Sequence, residues 1–87
     1  MARYELRFKT SVAKDLRGIA KADVNRILAR IETLREDPRP PGSEKLAGKE
    51  CYRVRQGNYR IIYTVVDAAV IVEIIKVGHR REVYREP

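Results

Sequence analysis

Arginines dominate the residues of this sequence that could do chemistry. Arg53 and Arg55 alternate within a short apolar stretch, Arg60 begins the next such stretch, and Arg80 follows Gly78 near the end of the chain. Planar guanidinium groups hold phosphate oxygens in bidentate fashion and neutralise the charge that grows in a phosphoryl transition state. A cluster of these four arginines would therefore suit a scissile phosphate.

Two other side chains could complete such a site. Tyr84 could stack on a base or orient the reacting sugar. His79 is a secondary candidate for proton transfer, because an arginine holds its proton too firmly to act as a base near neutral pH. Another interpretation stays open, since alternating arginines on a strand commonly form a solvated face and a histidine in a basic turn is commonly a surface residue.

The apolar pattern predicts the elements that must position these side chains. Residues 2–9 alternate as a half-buried strand, and helical spacing after Thr10 predicts a short helix. A second helix, capped by Asp23, is predicted to run to about Arg35. The prolines in 37–42 should end it, since each removes a backbone donor.

The second half of the chain predicts three strands joined by links of hairpin length. These strands cover residues 51–56, 59–66 and 70–77. Period-two alternation puts Arg53 and Arg55 on one face, with Arg60 beside them at the start of the next strand. We expect Gly78 to release the chain into a turn that brings the last segment back towards this patch.

The fold class predicted from this order is α+β. A strand and a two-helix hairpin precede a three-stranded antiparallel meander, and the helices pack on one face of the sheet. At 87 residues the chain has room for one domain, which we expect to span residues 1–87.

The charge balance favours a polyanionic partner. The net charge is +7 and the pI is about 9.9, which for a folded domain points first to nucleic acid. Arg26 and Arg30 of the second helix, together with Arg81, could contact RNA backbone, although the helix arginines could equally be a solvated side.

A single cysteine, Cys51, fits a reducing compartment. The sequence starts without a signal peptide and has no apolar run that could span a bilayer, so we expect a cytoplasmic protein, without a metal or cofactor.

The stretch KLAGKECYRVRQGNYRIIYTVVDAAVIVEIIKVGHRREVYR, from Lys45 to Arg85, resembles the second half of RelE/ParE-superfamily toxins. The two-helix first half matches their architecture, so the resemblance covers nearly the whole chain. No single piece of the motif is specific to this family, but the combination is fairly specific. It consists of a basic pair in a strand, a Gly-x-Tyr-Arg hairpin, and a terminal Val-Gly-His-Arg with a tyrosine four residues after its arginine.

For the RelE type, this resemblance implies cleavage of mRNA in the ribosomal A site by attack of the ribose 2′-hydroxyl on the adjacent phosphate. It assigns Arg60 to phosphate binding, Arg80 to the leaving group and Tyr84 to the tyrosine near the C-terminus. Arg53 and Arg55 match a basic pair that is lysine in some members, so neither is suited to take a proton. A RelB-like antitoxin is the implied partner, alongside the ribosome and mRNA, in a toxin–antitoxin hetero-oligomer.

Two alternatives remain from the sequence. A ParE-like toxin inhibits DNA gyrase without cleaving RNA and has the same scaffold, so the fold cannot separate the two activities. The joint presence of Arg60, Arg80 and Tyr84 favours the nuclease. A purely structural RNA-binding domain would explain the charge and leave the C-terminal motif unexplained.

Overall fold

A computed structural model describes residues 3–46 and 50–79 of the chain. The predicted order of a strand, two helices and further strands is confirmed, with one additional short strand between them. The elements are β1 (Glu5–Phe8), α1 (Thr10–Arg17), α2 (Lys21–Thr33), β2 (Glu44–Lys45), β3 (Cys51–Gln56), β4 (Tyr59–Val66) and β5 (Ile71–His79).

The strands form one mixed sheet in the order β1-β5-β4-β3-β2. The predicted meander of β3, β4 and β5 is antiparallel, as expected. β1 pairs in parallel with β5, because the α1–α2 hairpin lies between them in sequence and parallel strands need such a crossover. Both helices lie on one face of the sheet, and the fold class is α+β as predicted.

The core lies between the two helices and this face of the sheet. The apolar stripe of α2 places Ile27, Ile31 and the C-cap residue Leu34 in the interior, whereas Leu28 remains 39% exposed. From β4 the alternating residues Ile61, Tyr63 and Val65 meet them. The opposite face of β4, which begins with Arg60, is therefore the face that the helices leave uncovered.

Three local expectations were wrong, and one short strand was missed. Ala20 is the N-cap of α2 and Asp23 lies inside its first turn, so Asp23 is not a capping residue. Gly78 does not release the chain into a turn, because β5 continues through His79. Phe8 is 46% exposed, although its alternation with Leu6 predicted a buried position. The strand β2 was not foreseen, since two residues give no periodicity to detect.

The tight turn between β3 and β4 sets the register on which the site depends. Gly57 has φ +60, in the left-handed region that glycine adopts without a steric penalty, and Asn58 follows it. This two-residue turn places Arg55 directly opposite Arg60 in the ladder. The sequence therefore predicted both the turn and the pairing that it enforces.

Candidate functional site

The end of the sheet nearest this turn gathers positive charge on the uncovered face. Arg55 of β3 lies opposite Arg60 of β4, and Arg53 lies two residues further along the same face of β3. We call these three arginines the cationic end, together with Arg30 of α2 and Glu44, the one carboxylate among the described residues there, both of which line a cavity with Arg55. Three of the arginines predicted for the site thus lie together.

The side chain of Arg60 is fully buried, with 0% relative exposure. Its position in the ladder, between Arg55 on one side and Gly78 on the other, puts it at the centre of the cationic end. A buried guanidinium is a preorganised positive charge in a low-dielectric setting, where its field is strong.

Glu44 is the residue of this site that the sequence reasoning missed. Its carboxylate forms a hydrogen-bonded ion pair with Arg53, with an Nε to Oε1 distance of 3.0 Å. The pKa of Glu44 is lowered, first by this hydrogen bond and the charge of Arg53, and then by the nearby charges of Arg55 and Arg60. Only the pairing of β2 with β3 brings this carboxylate to the arginines, so no local signal could have found it.

A cavity of about 410 Å³ opens beside this carboxylate. It is lined by Arg30, Gly42, Ser43, Glu44 and Arg55. Arg30 is half-buried and reaches it from α2, while Arg55 reaches it from β3. The two helix arginines thus differ, because Arg26 does not line this cavity and instead forms an exposed ion pair with Asp23 at 3.3 Å.

His79 lies on the other side of the sheet from the cationic end. Its ring packs edge-to-face against Tyr59 with centroids 5.8 Å apart, and Tyr59 packs against the core beneath the helices. Both rings line a second cavity of about 440 Å³ with Asp15, whose Oδ2 accepts a hydrogen bond from the Val77 backbone N–H at 3.2 Å. His79 and Arg60 therefore project to opposite faces of β4 and β5.

Three of the residues singled out in the sequence lie outside the described residues. They are Arg80, Arg81 and Tyr84. Within residues 3–46 and 50–79, no group of three or more His, Cys, Asp or Glu side chains could hold a metal ion. No helix in this part of the chain is long and apolar enough to cross a bilayer.

At the opposite end of β3 and β4, a different arginine is matched by carboxylates. Arg39 contacts Asp67 through both of its terminal nitrogens, at 3.2 and 2.8 Å, and also contacts Glu50 at 3.0 Å and the Tyr52 hydroxyl at 2.8 Å. We call this group the Arg39 cluster; Lys45 and Tyr4 complete it through Glu50 and Asp67. The pKa of Asp67 is lowered by its hydrogen bonds from Arg39 and Tyr4.

Comparison with known proteins identifies the scaffold. Residues 6–84 match the family described as ParE toxin of type II toxin–antitoxin system, parDE. The chain belongs to the RelE/ParE superfamily of type II toxins. Among characterised relatives, it is 30% identical to the mRNA interferase toxin RelE of Escherichia coli, covering 95% of this chain and 92% of that protein. It is also 33% identical to toxin RelG of Mycobacterium tuberculosis, covering 94% and 97%.

Solved structures of RelE/ParE toxins agree with this assignment. The RelE–RelB complex of Pyrococcus horikoshii contains a chain that matches with a TM-score of 0.78 and 28% identity, over 90% of this chain and 96% of that one. The isolated RelE toxin of Escherichia coli matches with a TM-score of 0.78 and 28% identity, over 93% and 90%.

Proposed function

We propose that this RelE/ParE toxin is a ribosome-dependent mRNA interferase that cleaves mRNA in the ribosomal A site and is neutralised by a RelB-like antitoxin. The observation that carries the proposal is the cationic end, where Arg53, Arg55 and Arg60 meet on one face of the sheet. The similarity to an mRNA interferase toxin of Escherichia coli supports it. Because ribosomes are its target, we infer that the protein acts in the cytoplasm.

The reaction that fits this chemistry is transfer within the RNA itself. The 2′-hydroxyl loses its proton, the 2′-oxygen bonds to the adjacent phosphorus, and the bond from phosphorus to the 5′-oxygen breaks. The departing 5′-oxygen takes a proton from water, leaving a 2′,3′-cyclic phosphate and a 5′-hydroxyl. Arginines stabilise the additional negative charge on the phosphoryl oxygens as the bond forms. We assign this role to Arg60, with Arg80 beside the leaving group and Tyr84 positioning the nucleotide.

Glu44 is the group we assign as proton acceptor for the 2′-hydroxyl. Its carboxylate is ionised at neutral pH and can accept a proton, and because Arg53 lowers the pKa of Glu44 it is a weak base. Its neighbours Arg53 and Arg55 keep their own protons and so cannot take this role. Glu44 also borders the cavity that contains Arg55, so its carboxylate is open to a bound nucleotide.

The proposed site has several charge-stabilising groups and one weak base, so the ribosome must supply much of the positioning of the RNA. We therefore expect cleavage of a ribosome-bound message and little cleavage of the same RNA free in solution. Primer extension on both substrates, with equal toxin and with the cognate antitoxin added as a control, measures this. Efficient cleavage of free single-stranded RNA would contradict ribosome dependence.

Inhibition of DNA gyrase is the second candidate function, because the matching family model is that of ParE toxins. A supercoiling assay with purified gyrase separates the two. The interferase proposal expects unchanged supercoiling together with cut messages. If gyrase is inhibited and messages stay intact, the ParE-like activity is supported and the interferase proposal is refuted.

A further inference from the structure

The short strand β2 leaves part of β3 open at the edge of the sheet. β2 pairs through Glu44 with Arg53 and through Lys45 with Tyr52, and there it ends. The chain preceding β2 turns away at Gly42, which has φ +91. The edge of β3 next to Arg55 is therefore not paired by β2, and the cavity of about 410 Å³ lies at this gap.

The lining of this cavity suits an anion with several oxygens. Two arginines, Arg30 and Arg55, and Ser43 line it, against the one acidic residue Glu44. That carboxylate already forms an ion pair with Arg53, so its charge is largely compensated. A phosphate group, which guanidinium forks bind in bidentate fashion, is the ligand that this arrangement favours.

The wall of the cavity is fixed from inside the protein. The hydroxyl of Tyr63 donates a hydrogen bond to the Pro38 carbonyl oxygen at 2.7 Å, and burial raises the pKa of Tyr63 to about 12, so that it stays a donor. The Ser43 N–H donates to the Pro40 carbonyl oxygen at 3.0 Å. Arg39, which lies between these two prolines in sequence, is held by Asp67 at the opposite end of β3 and β4. Little ordering is thus needed when a ligand binds, which favours affinity.

Arg55 connects this cavity to the catalytic arginines. It lines the cavity and is also the ladder partner of Arg60, so the two phosphate-binding positions are adjacent across β3 and β4. An RNA strand with its scissile phosphate at Arg60 would bring a neighbouring phosphate of the same strand to Arg55 and Arg30. Arg26 belongs to the same helix but does not line the cavity.

We propose that the cavity lined by Arg30, Ser43 and Arg55 binds the RNA phosphate adjacent to the scissile one, which makes Arg30 a substrate-positioning residue. This inference rests on the proposed mRNA cleavage and adds a specific site to it. If Arg30 acted only as part of the basic surface, its contribution to RNA affinity would depend on the total charge of the RNA. In the proposed site, that contribution depends on one identified phosphate.

The test uses ribosomes programmed with a message that carries a 2′-deoxy nucleotide at the cut position, so that binding is measured without cleavage. In two further messages, the phosphodiester on one side or the other of the scissile phosphate is replaced by a neutral methylphosphonate. For the unaltered toxin, one of these two replacements should raise Kd about tenfold, as expected for loss of a charge-assisted contact.

The variant Arg30→Gln should show a similarly raised Kd for the normal message and no further increase with that methylphosphonate. Arg30→Lys should regain part of the affinity. The matched control is Lys21→Gln, which removes one exposed charge from the same helix and should keep the full methylphosphonate effect. Thermal melting of each variant establishes that it is folded.

Three results would overturn the inference: neither methylphosphonate weakens binding of the unaltered toxin, the effect persists undiminished in Arg30→Gln, or it disappears equally in Lys21→Gln. Cleavage of an all-ribose message by the unaltered toxin is followed in parallel. If the message stays intact while the methylphosphonate still weakens binding in an Arg30-dependent way, the proposed nuclease function is refuted and the phosphate site is supported. Cleavage without that effect would refute the site alone.

Discussion

Two groups of arginines occupy opposite ends of β3 and β4, and their surroundings differ. In the Arg39 cluster, Arg39 and Lys45 are matched by the carboxylates of Glu50 and Asp67. In the cationic end, four arginines share the one described carboxylate, Glu44. Arginine matched by carboxylates holds protein segments together, whereas arginine in excess over carboxylates attracts an anionic ligand. The same residue type thus has a structural role at one end and a proposed functional role at the other.

The largest effect expected from this comparison is on the chemical step. Arg60→Ala and Arg80→Ala should each reduce single-turnover cleavage on saturated ribosomes by about a hundredfold to a thousandfold, because each removes a donor that we propose stabilises the transition state. Binding to the antitoxin should persist. Since Arg60 is buried, the fold of the variant is checked by circular dichroism, and Arg60→Lys serves as a second variant that keeps the charge. Nearly unchanged cleavage in folded variants would place the catalytic site elsewhere.

The assignment of Glu44 can be separated from that of His79 by pH. Glu44→Gln should lower the cleavage rate about a hundredfold, at the lower end of the range for general bases. Because Arg53 and its neighbours lower the pKa of Glu44 below the ordinary value of 4.5, the carboxylate stays deprotonated as pH falls to that value. The rate in the unaltered toxin should therefore stay constant with respect to this group between about pH 5.5 and about pH 7.5.

The control for that experiment is His79→Gln, which removes the imidazole from the helix side of the sheet. A fall in rate with falling pH in the unaltered toxin, abolished in His79→Gln and preserved in Glu44→Gln, would reverse the assignment in favour of the histidine.

Arg39→Ala tests the structural side of the comparison. It removes contacts to Asp67, Glu50 and Tyr52. The free energy of unfolding should fall by on the order of 1–2 kcal/mol, a value reduced for the partial exposure of these groups. Cleavage per folded molecule should change little. Denaturant unfolding, with Arg3→Ala as the control for an exposed ion pair to Glu36, measures the difference.

The smallest effect is expected at Arg26, whose ion pair with Asp23 is exposed and contributes little to stability. Arg26→Ala should weaken ribosome binding modestly and reduce the slope of log affinity against log salt by about one. The rate at saturation should be unchanged. A lowered saturated rate would mean that Arg26 belongs with the cationic end.

The sequence by itself determined most of the fold. Alternation in residues 51–56 and 59–66, together with the Gly57 turn, was enough to place Arg55 beside Arg60, since a two-residue hairpin permits few registers. The helical stripe through Ile27, Ile31 and Leu34 likewise indicated which side of α2 is buried. These features depend on residues close together in the chain.

Only the tertiary structure decided which charges compensate one another. Glu44 joins Arg53 because β2 pairs with β3, and Arg39 meets Asp67 across 28 residues of sequence. Arg26 and Arg30 are alike in sequence, yet only Arg30 borders the cavity with Arg55. Electrostatic interaction depends on distance through space and on burial, and neither is encoded in the local pattern from which secondary structure can be predicted.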